Sequence, residues 1–168
     1  MKFASSSSPF SKFKPQLMYD VFINFRGEDT RRKFVCHLHY ALSKAGVKTF
    51  IDDENLPKGT LLEELFPTIE GSQIAIVVFS KTYTESTWCL RELQKIIECN
   101  ENYGQIVVPV FYYIDPSHIR HQEGDFGNAL NAVAEKRHSG EDLKSALSNW
   151  KRVLKKATDF SGWNVRDF

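Results

Sequence analysis

An indole and a carboxylate stand four residues apart, at Trp88 and Glu92, shortly after the apolar run of residues 74–79. The pair begins a predicted helix just beyond the carboxyl end of a buried strand, where open α/β sheets bind ligands. Positions i and i+4 share one helix face, so the two side chains could offer a stacking surface and an acid to one guest. The spacing also suits a core tryptophan and an acid favoured by the helix dipole, and taken alone it favours this structural interpretation.

The elements that position this pair are predicted from four short apolar runs, each followed by a polar loop and a helical pattern. These runs predict strands at residues 19–25, 47–51, 73–79 and 106–112, with a short fifth strand at 162–165. Their continuous apolar character is typical of parallel strands covered on both faces. Strand–helix alternation with right-handed crossovers predicts a flavodoxin-like α/β sheet of order 2-1-3-4-5, with its switch point between strands one and three.

Helix boundaries follow from periodicity and capping signals. The helix after the first strand should end at Gly46 and present one apolar face, made of Phe34, Leu38, Ala41, Leu42 and Ala45. Thr60 and Glu63 have the capping-box spacing at the start of the second helix, which Pro67 should kink or shorten. A third helix is predicted at residues 86–100. An extended helical region follows strand four after a turn at Asp115-Pro116, with helices near residues 126–137 and 141–157.

This topology brings the loop of residues 25–30 next to residues 80–88. Gly27 allows a positive φ or a close approach to a ligand. Arg26 precedes three cations in the first turn of a helix, Arg31, Arg32 and Lys33, where the dipole disfavours positive charge. Either an anionic ligand or a solvated basic face paired with nearby acids accounts for them, and both alternatives stay open. The loop of residues 52–59 could be a lid, a partner surface or a plain connector, the last being the default.

Composition limits the classes of function. The 168 residues predict one domain, residues 19–168, after a disordered Ser-rich leader at residues 1–18. A net charge of +1 gives no support to nucleic-acid binding, and no apolar run approaches the ~20 residues of a membrane span. The odd number of cysteines, three, favours a reducing compartment. Neither the cysteines nor the five histidines have metal-ligand spacing, so we expect no metal site. Phosphate-loop, dinucleotide-binding and serine-hydrolase motifs are absent from the sequence. A phosphoacceptor receiver domain is also excluded, because it needs acids at the positions where this chain has Asn24-Phe25 and Phe79-Ser80.

Several motifs stand in order along the chain and together resemble the Toll/interleukin-1 receptor (TIR) domain of plant intracellular immune receptors. The resemblance covers about residues 19–165 and rests on Tyr19-Asp-Val-Phe-Ile-Asn-Phe-Arg-Gly-Glu-Asp-Thr30, Phe50-Ile-Asp-Asp53, Gly71-Ser72, Ile76-Val-Val-Phe-Ser80, Trp88-Cys-Leu-Arg-Glu-Leu93, Val108-Pro-Val-Phe-Tyr112, Asp115-Pro-Ser117 and Ser161-Gly-Trp163.

The resemblance implies a three-layer TIR fold and an assembly-dependent NAD⁺ nucleosidase that takes NAD⁺ or NADP⁺ as substrate and requires no cofactor. It implies that Glu92 is catalytic, in a cleft that we expect to face solvent, and so reverses the structural interpretation of the Trp88–Glu92 pair. The substrate-binding residues it implies are Phe25, Arg26, Gly27, Arg31, Ser86 and Trp88. The lid or partner loop it implies contains Asp52, Asp53, Lys58 and Gly59.

The resemblance further implies self-association with other TIR domains in plant innate immune signalling, in the cytoplasm or the nucleus. The self-association positions are Cys36-His37, where relatives usually carry Ser-His, and Gly162-Trp163. The family's last helix follows the latter, and because the chain ends at Phe168 we expect that helix to be absent and association to be weak. A non-enzymatic TIR–TIR adaptor remains the alternative function, and nucleic-acid contact through residues 31–33 is left open.

Overall fold

A computed structural model describes residues 14–52 and 59–166, which form a parallel β-sheet with helices on both faces. The strands are β1 (Tyr19–Asn24), β2 (Thr49–Ile51), β3 (Ser72–Phe79), β4 (Ile106–Tyr112) and β5 (Trp163–Val165). Their order is β2-β1-β3-β4-β5, and all four pairings are parallel. The predicted sheet order and its switch point between β1 and β3 are therefore confirmed.

The apolar runs form a sheet that is buried on both faces, as their continuous hydrophobicity predicts. Phe22, Val77 and Phe79 belong to the larger core on one face, which also contains Leu90, Leu93 and Trp150. Ile23, Val78 and other alternate residues belong to a smaller core on the opposite face. Each such buried side chain contributes roughly 1.5–3 kcal/mol to the stability of the fold relative to an exposed one. The packing of the central strands therefore fixes the positions of their carboxyl ends.

The helical segment after β1 consists of α1 (Glu28–Thr30), a π-helical segment (Arg31–Val35) and α2 (Cys36–Lys44). Its predicted apolar face is only partly correct. Phe34, Leu38 and Leu42 pack against the smaller core, whereas Ala41 and Ala45 are exposed. These three residues are spaced four apart, and Val35 of the same segment is fully buried in this core, so the segment packs through one side on the smaller core.

The predicted capping box at Thr60 and Glu63 is wrong. The segment begins as a 3₁₀ turn (Leu62–Leu65) with Leu61 at the N-cap and no side-chain cap hydrogen bond. Glu63 instead pairs with Arg91, at 2.7 Å between Oε1 and Nη2. The α-helical part, α3 (Phe66–Glu70), has Pro67 in its first turn and is only five residues long. The expected shortening at Pro67 is confirmed, because a proline is tolerated where no intrahelical N–H bond is needed.

The remaining helices surround β3 and β4. A 3₁₀ turn (Tyr83–Glu85) leads into α4 (Thr87–Tyr103), and β4 is followed by α5 (Pro116–Arg120), α6 (Gly124–Arg137) and α7 (Gly140–Thr158). The extended helical region after strand four is confirmed. Helix α7 packs on α4, where the Trp150 indole donates a hydrogen bond to Gln94 Oε1 at 3.0 Å.

The sequence predicts a disordered leader at residues 1–18, and the structure describes this segment only from residue 14 onwards. Residues 1–13 lie outside the described residues. Met18 donates its backbone N–H to the carbonyl of Gly71 at 2.7 Å, so the chain is already attached to the sheet one residue before β1. Gly71 has little space, since an added Cβ would lie 2.8 Å from Met18 Cε.

Candidate functional site

A buried polar network lies at the carboxyl end of β1. Asn24, the last residue of β1, donates from Nδ2 to Glu92 Oε1 at 2.7 Å. Tyr83 donates its hydroxyl to Asn24 Oδ1, and its hydroxyl oxygen also lies 3.2 Å from the Cys89 carbonyl. Asn24 and Tyr83 are fully buried. Because buried polar groups are expensive without partners, this arrangement fixes the Glu92 carboxyl group in one position.

Trp88 links Glu92 to the end of β2. The indole Nε1 donates to Glu92 Oε2 at 2.9 Å and to Asp52 Oδ2 at 2.5 Å. Helix α4 sets this geometry, because Ser86 Oγ accepts the Cys89 N–H at 3.1 Å and so starts the helix at Thr87. The prediction that Trp88 and Glu92 lie on the same helix face is confirmed.

The expectation that Glu92 faces a solvent-filled cleft is wrong. Its side chain is 99% buried, since only 1% of the residue is exposed. Trp88 and Asn24 cover the two carboxyl oxygens, and Asp52 lies against the same group. The contacts with Asn24 and Asp52 join Glu92 to residues far away in the chain, so helix periodicity alone could not reveal the burial.

Burial and a neighbouring acid decide the protonation of Glu92. Desolvation raises the pKa of Glu92 well above its ordinary 4.5, and the hydrogen bond to Asp52 and the charge of Asp52 raise it further. The Asn24 and Trp88 donors lower that pKa but do not reverse the shift. Burial likewise raises the pKa of the Cys89 thiol, with Glu92 as the next cause, so Cys89 is not an activated nucleophile.

The loop after β1 supplies an aromatic ring and two arginines. Phe25 is buried, and its carbonyl oxygen lies 3.2 Å from Cys89 Sγ. The Arg31 guanidinium lies 5.0 Å from the centre of the Phe25 ring and donates to the Asp52 carbonyl at 3.4 Å. It also forms an ion pair with Glu28 at 3.7 Å. Arg31 is therefore a part of the site and joins the first loop to the end of β2.

Arg26 lines an open cleft of about 540 Å³ beside the buried acid, together with Ser86 and Trp88. Gly27 does not line this cleft; it has a φ of 98° and belongs to a separate cleft on the other side of its loop. The first cleft has further basic side chains that the sequence did not suggest, namely Arg91 on α4 and Lys136 and Arg137 at the end of α6. Two acids, Glu63 and Glu85, also line the cleft, and Glu63 pairs with Arg91. The cations still outnumber the carboxylates, and a lining of net positive charge can bind a polyanion.

Two members of the network, Asn24 and Tyr83, were not predicted as site residues. A polar asparagine that ends an otherwise apolar strand was a usable signal for Asn24. Tyr83 stands in a loop rich in hydroxyl residues, where nothing local marks it as buried. Its ring packs on Phe79, at 4.8 Å between ring centres, and this tertiary contact directs the hydroxyl to Asn24.

The predicted lid loop is described only at its two ends. Asp53 and Lys58 lie outside the described residues. Asp52 joins the site through Trp88, whereas Gly59 is exposed with a φ of 93°.

The predicted self-association residues lie away from the Glu92 network. Cys36 and His37 are exposed at the start of α2. Trp163 is 67% exposed on the edge strand β5. Gly162 permits close packing, since an added Cβ would lie 2.0 Å from the Pro109 carbonyl oxygen.

Within residues 14–52 and 59–166, no cluster of three or more His, Cys, Asp or Glu side chains could hold a metal ion. In the same described part, no helix combines the length and the apolar character that crossing a membrane requires.

Comparison with known proteins is consistent in sequence and in structure. The family model described as TIR domain matches residues 18–168. The chain is 43% identical over 164 residues to disease resistance protein RPV1 of Vitis rotundifolia, with 98% of the chain covered. It is 44% identical over 163 residues to TMV resistance protein N of Nicotiana glutinosa, with 96% covered. The chain spans only 11% and 13% of the lengths of these two relatives.

Among solved structures, the chain is similar to the TIR domains of the activated Roq1 resistosome, which directly recognizes the pathogen effector XopQ. The TM-score is 0.78 at 44% identity, and the match covers 89% of each chain.

Proposed function

The chain belongs to the TIR domain family, and on that premise we propose that it is an NAD⁺ nucleosidase of plant innate immune signalling with Glu92 as its catalytic carboxylate. The observation that carries this proposal is the placement of Glu92 between Trp88 and Asn24, next to a cleft whose lining contains more cations than carboxylates. A buried acid with a raised pKa beside a cleft is typical of functional sites.

The chemistry needs few groups. In NAD⁺ the bond between ribose C1′ and the pyridinium nitrogen breaks with both electrons going to nicotinamide, which leaves as a neutral molecule. Water then adds its oxygen to C1′ and releases one proton, which gives ADP-ribose. The transition state resembles an oxocarbenium ion, and an ionised Glu92 would stabilise its positive charge. The Trp88 indole supplies a flat surface for a ring beside that carboxylate.

Asp52 is the group that must move. Its carboxylate binds the Trp88 indole and contacts the Glu92 carboxyl group, so it occupies the position that a ribose hydroxyl would take. When a nucleotide displaces Asp52, the two causes that Asp52 contributes to the raised pKa of Glu92 are removed and ionisation becomes easier. The proposed active form therefore has Asp52 withdrawn from Trp88.

The basic side chains of the cleft would bind the phosphates of the substrate. Arg26 follows β1 closely in sequence, and Lys136 and Arg137 add positive charge from the end of α6, whereas Arg91 is paired with Glu63. These cations would accept NADP⁺ as well as NAD⁺, and no cofactor is required. Arginine suits a pyrophosphate because its planar group makes two parallel hydrogen bonds.

Assembly with other TIR domains belongs to the same proposal. The relative with TM-score 0.78 is a resistosome structure, and this chain exposes the large apolar Trp163 at the edge of its sheet. The proposed setting is the cytoplasm, or the nucleus as the alternative. A purely non-enzymatic TIR–TIR adaptor is the alternative function, and the exposed Trp163 is equally consistent with it.

An NAD⁺ consumption assay at high protein concentration separates the two functions. We expect the chain to release nicotinamide, and Glu92→Gln to reduce the rate by about 10²–10³-fold, the typical effect of removing one transition-state electrostatic contact. Glu101→Gln, an exposed acid on the same helix, is the matched control and should retain the wild-type rate. Wild-type turnover by Glu92→Gln would refute the catalytic assignment of Glu92. Absence of turnover by the wild type would favour the non-enzymatic adaptor.

A further inference from the structure

A second cleft of about 500 Å³ lies on the other side of the residue 25–30 loop from Trp88. It is lined by Gly27, Thr30, Lys33, Ser80, Lys81, Thr82, Tyr112 and Tyr113. Its residues come from the carboxyl ends of β3 and β4 and from the segment after β1, so it lies at the ligand-binding edge of the sheet. None of Arg26, Trp88 and Glu92 lines it.

Ser80 is the unusual residue of this cleft. It is 94% buried, with 6% exposure, yet its Oγ has no hydrogen-bond partner among the residues that the structure describes. Its backbone carbonyl is engaged by the Tyr83 N–H at 3.1 Å, which holds the turn in place. A buried hydroxyl without a partner destabilises a fold, and such groups are rare in native proteins. Ser80 lines the cleft, and a ligand bound there that reaches this Oγ would satisfy it.

The other lining groups specify the charge of that ligand. Lys33 and Lys81 supply two ammonium groups, and Thr30 and Thr82 supply two further hydroxyls. Among the lining residues whose side chains are described, none is a carboxylate. Lysines and hydroxyls converging on a small space are the donors that bind phosphate oxygens.

The aromatic side of the cleft suggests what the phosphate is attached to. Tyr113 is 44% exposed and packs edge to face on Tyr112, at 4.9 Å between ring centres. The Tyr113 N–H donates to the Val165 carbonyl at 3.0 Å, so the backbone of this residue is held by β5. A held, exposed ring beside two lysines can stack on a planar heterocycle.

From these observations we propose that this cleft is a second ligand site that binds the phosphate group of a nucleoside monophosphate. Ser80, Lys33 and Lys81 contact the phosphate, and Tyr113 stacks on the base. The site is independent of NAD⁺ cleavage, because it shares no side chain with the Glu92 network.

The test is a titration of the ¹⁵N-labelled chain with inorganic phosphate and with AMP, followed by NMR at constant ionic strength. We expect saturable shifts at the amides of Gly27, Ser80 and Lys81. AMP should bind at least tenfold more tightly than phosphate, and Tyr113→Ala should remove that difference. Shifts that do not saturate overturn the site, and equal affinity for the two ligands overturns the nucleoside part.

Two variants and one control test the contacts. Ser80→Ala and Lys81→Ala should each weaken phosphate binding at least tenfold, whereas Lys151→Ala, an exposed lysine on α7, should not change it. Ser80→Ala should also leave the thermal midpoint unchanged or raise it, because a hydroxyl without a partner is removed. Wild-type affinity in both variants would refute the proposal. Lys81 is exposed, so that variant stays informative even where Ser80→Ala fails to fold.

The same titration distinguishes this site from the proposed active site. Binding of AMP next to Trp88 would shift the indole N–H signal of Trp88, and binding at the second cleft should leave that signal in place. NAD⁺ turnover by Ser80→Ala and Lys81→Ala in the absence of added phosphate should equal that of the wild type. If the wild-type chain binds phosphate saturably but releases no nicotinamide, the proposed function alone is refuted; if it releases nicotinamide but shows no saturable phosphate binding, the second site alone is refuted.

Discussion

At the scale of single residues, Glu92 combines a proposed catalytic role with a structural one. It accepts hydrogen bonds from Asn24 and Trp88, and its removal would leave the buried Asn24 Nδ2 without its partner, whereas Trp88 would keep its hydrogen bond to Asp52. An unsatisfied buried donor costs about 1–3 kcal/mol, so an alanine at this position affects folding as well as chemistry. For this reason glutamine is the better probe of activity.

Glu92→Ala should therefore destabilise the protein by about 2–4 kcal/mol, because it adds a small cavity to the loss of two hydrogen bonds. Chemical denaturation monitored by circular dichroism measures this change. Glu101→Ala on the exposed face of α4 should change the free energy of unfolding by less than about 0.5 kcal/mol. An unchanged midpoint in Glu92→Ala would mean that the carboxyl group is not held as the structure shows.

The raised pKa of Glu92 also predicts a pH dependence of stability. A carboxyl group whose pKa is higher in the folded state than its ordinary 4.5 binds more protons when folded, so its protonation favours the folded state. This contribution is fully present below about pH 4.5 and is lost as pH rises through the folded-state value. Glu92→Gln keeps a neutral group at this position and should abolish that loss.

Thermal unfolding of the wild type and of Glu92→Gln from pH 4.5 to pH 8 measures the difference. The variant should gain stability relative to the wild type as pH increases. A constant difference across this range would contradict the assigned direction of the Glu92 pKa shift.

At the scale of elements, the start of α4 determines the geometry of the site. Ser86 Oγ accepts the Cys89 N–H, and the first turn that follows directs Trp88 towards Glu92 and Asp52. A frayed first turn would move the indole while leaving the buried remainder of α4 in place.

Ser86→Ala should cost about 1 kcal/mol, typical of a lost N-cap, which corresponds to a decrease of about 2–4 °C in the melting temperature. It should also reduce NAD⁺ turnover. Ser139→Ala is the matched control, since Ser139 occupies the N-cap of α7 without a side-chain cap hydrogen bond. Equal melting temperatures for the two variants would contradict the capping role of Ser86.

At the scale of the whole molecule, exposed surfaces govern association. Trp163 offers a large apolar side chain on the edge strand β5, whereas its neighbour Gly162 is closed in by Pro109. A bulky substitution at Gly162 would therefore disturb the packing of β5, and it would not report on association alone. Replacement of the exposed Trp163 by alanine is the better test of association.

Trp163→Ala should leave the melting temperature within about 2 °C of the wild type and reduce the increase of specific activity with protein concentration, because an exposed side chain contributes little to folding. Sedimentation velocity and NAD⁺ turnover over the same concentration range measure both effects. Ile106→Ala, another exposed apolar residue of the sheet, is the control. Wild-type concentration dependence in Trp163→Ala would exclude β5 from the assembly surface.

The features of the fold and the site that depend on local spacing could be predicted from the sequence. Continuous apolar runs specify buried parallel strands, and their alternation with helices specifies the order β2-β1-β3-β4-β5. A separation of four residues placed Trp88 and Glu92 on one face of α4. The capping box at Thr60 was misjudged because the segment begins one residue later, with Leu61 at the N-cap, and Glu63 pairs with Arg91, 28 residues away.

The burial of Glu92 and the direction of its pKa shift follow from tertiary contacts and could not be predicted from the sequence. Glu92 meets Asn24 across 68 residues of sequence, and Trp88 meets Asp52 across 36. The unpartnered hydroxyl of Ser80 and the basic end of α6 beside Trp88 are likewise results of packing. Desolvation depends on every atom that surrounds a group, and those atoms come from segments that meet only when the sheet and its helices assemble.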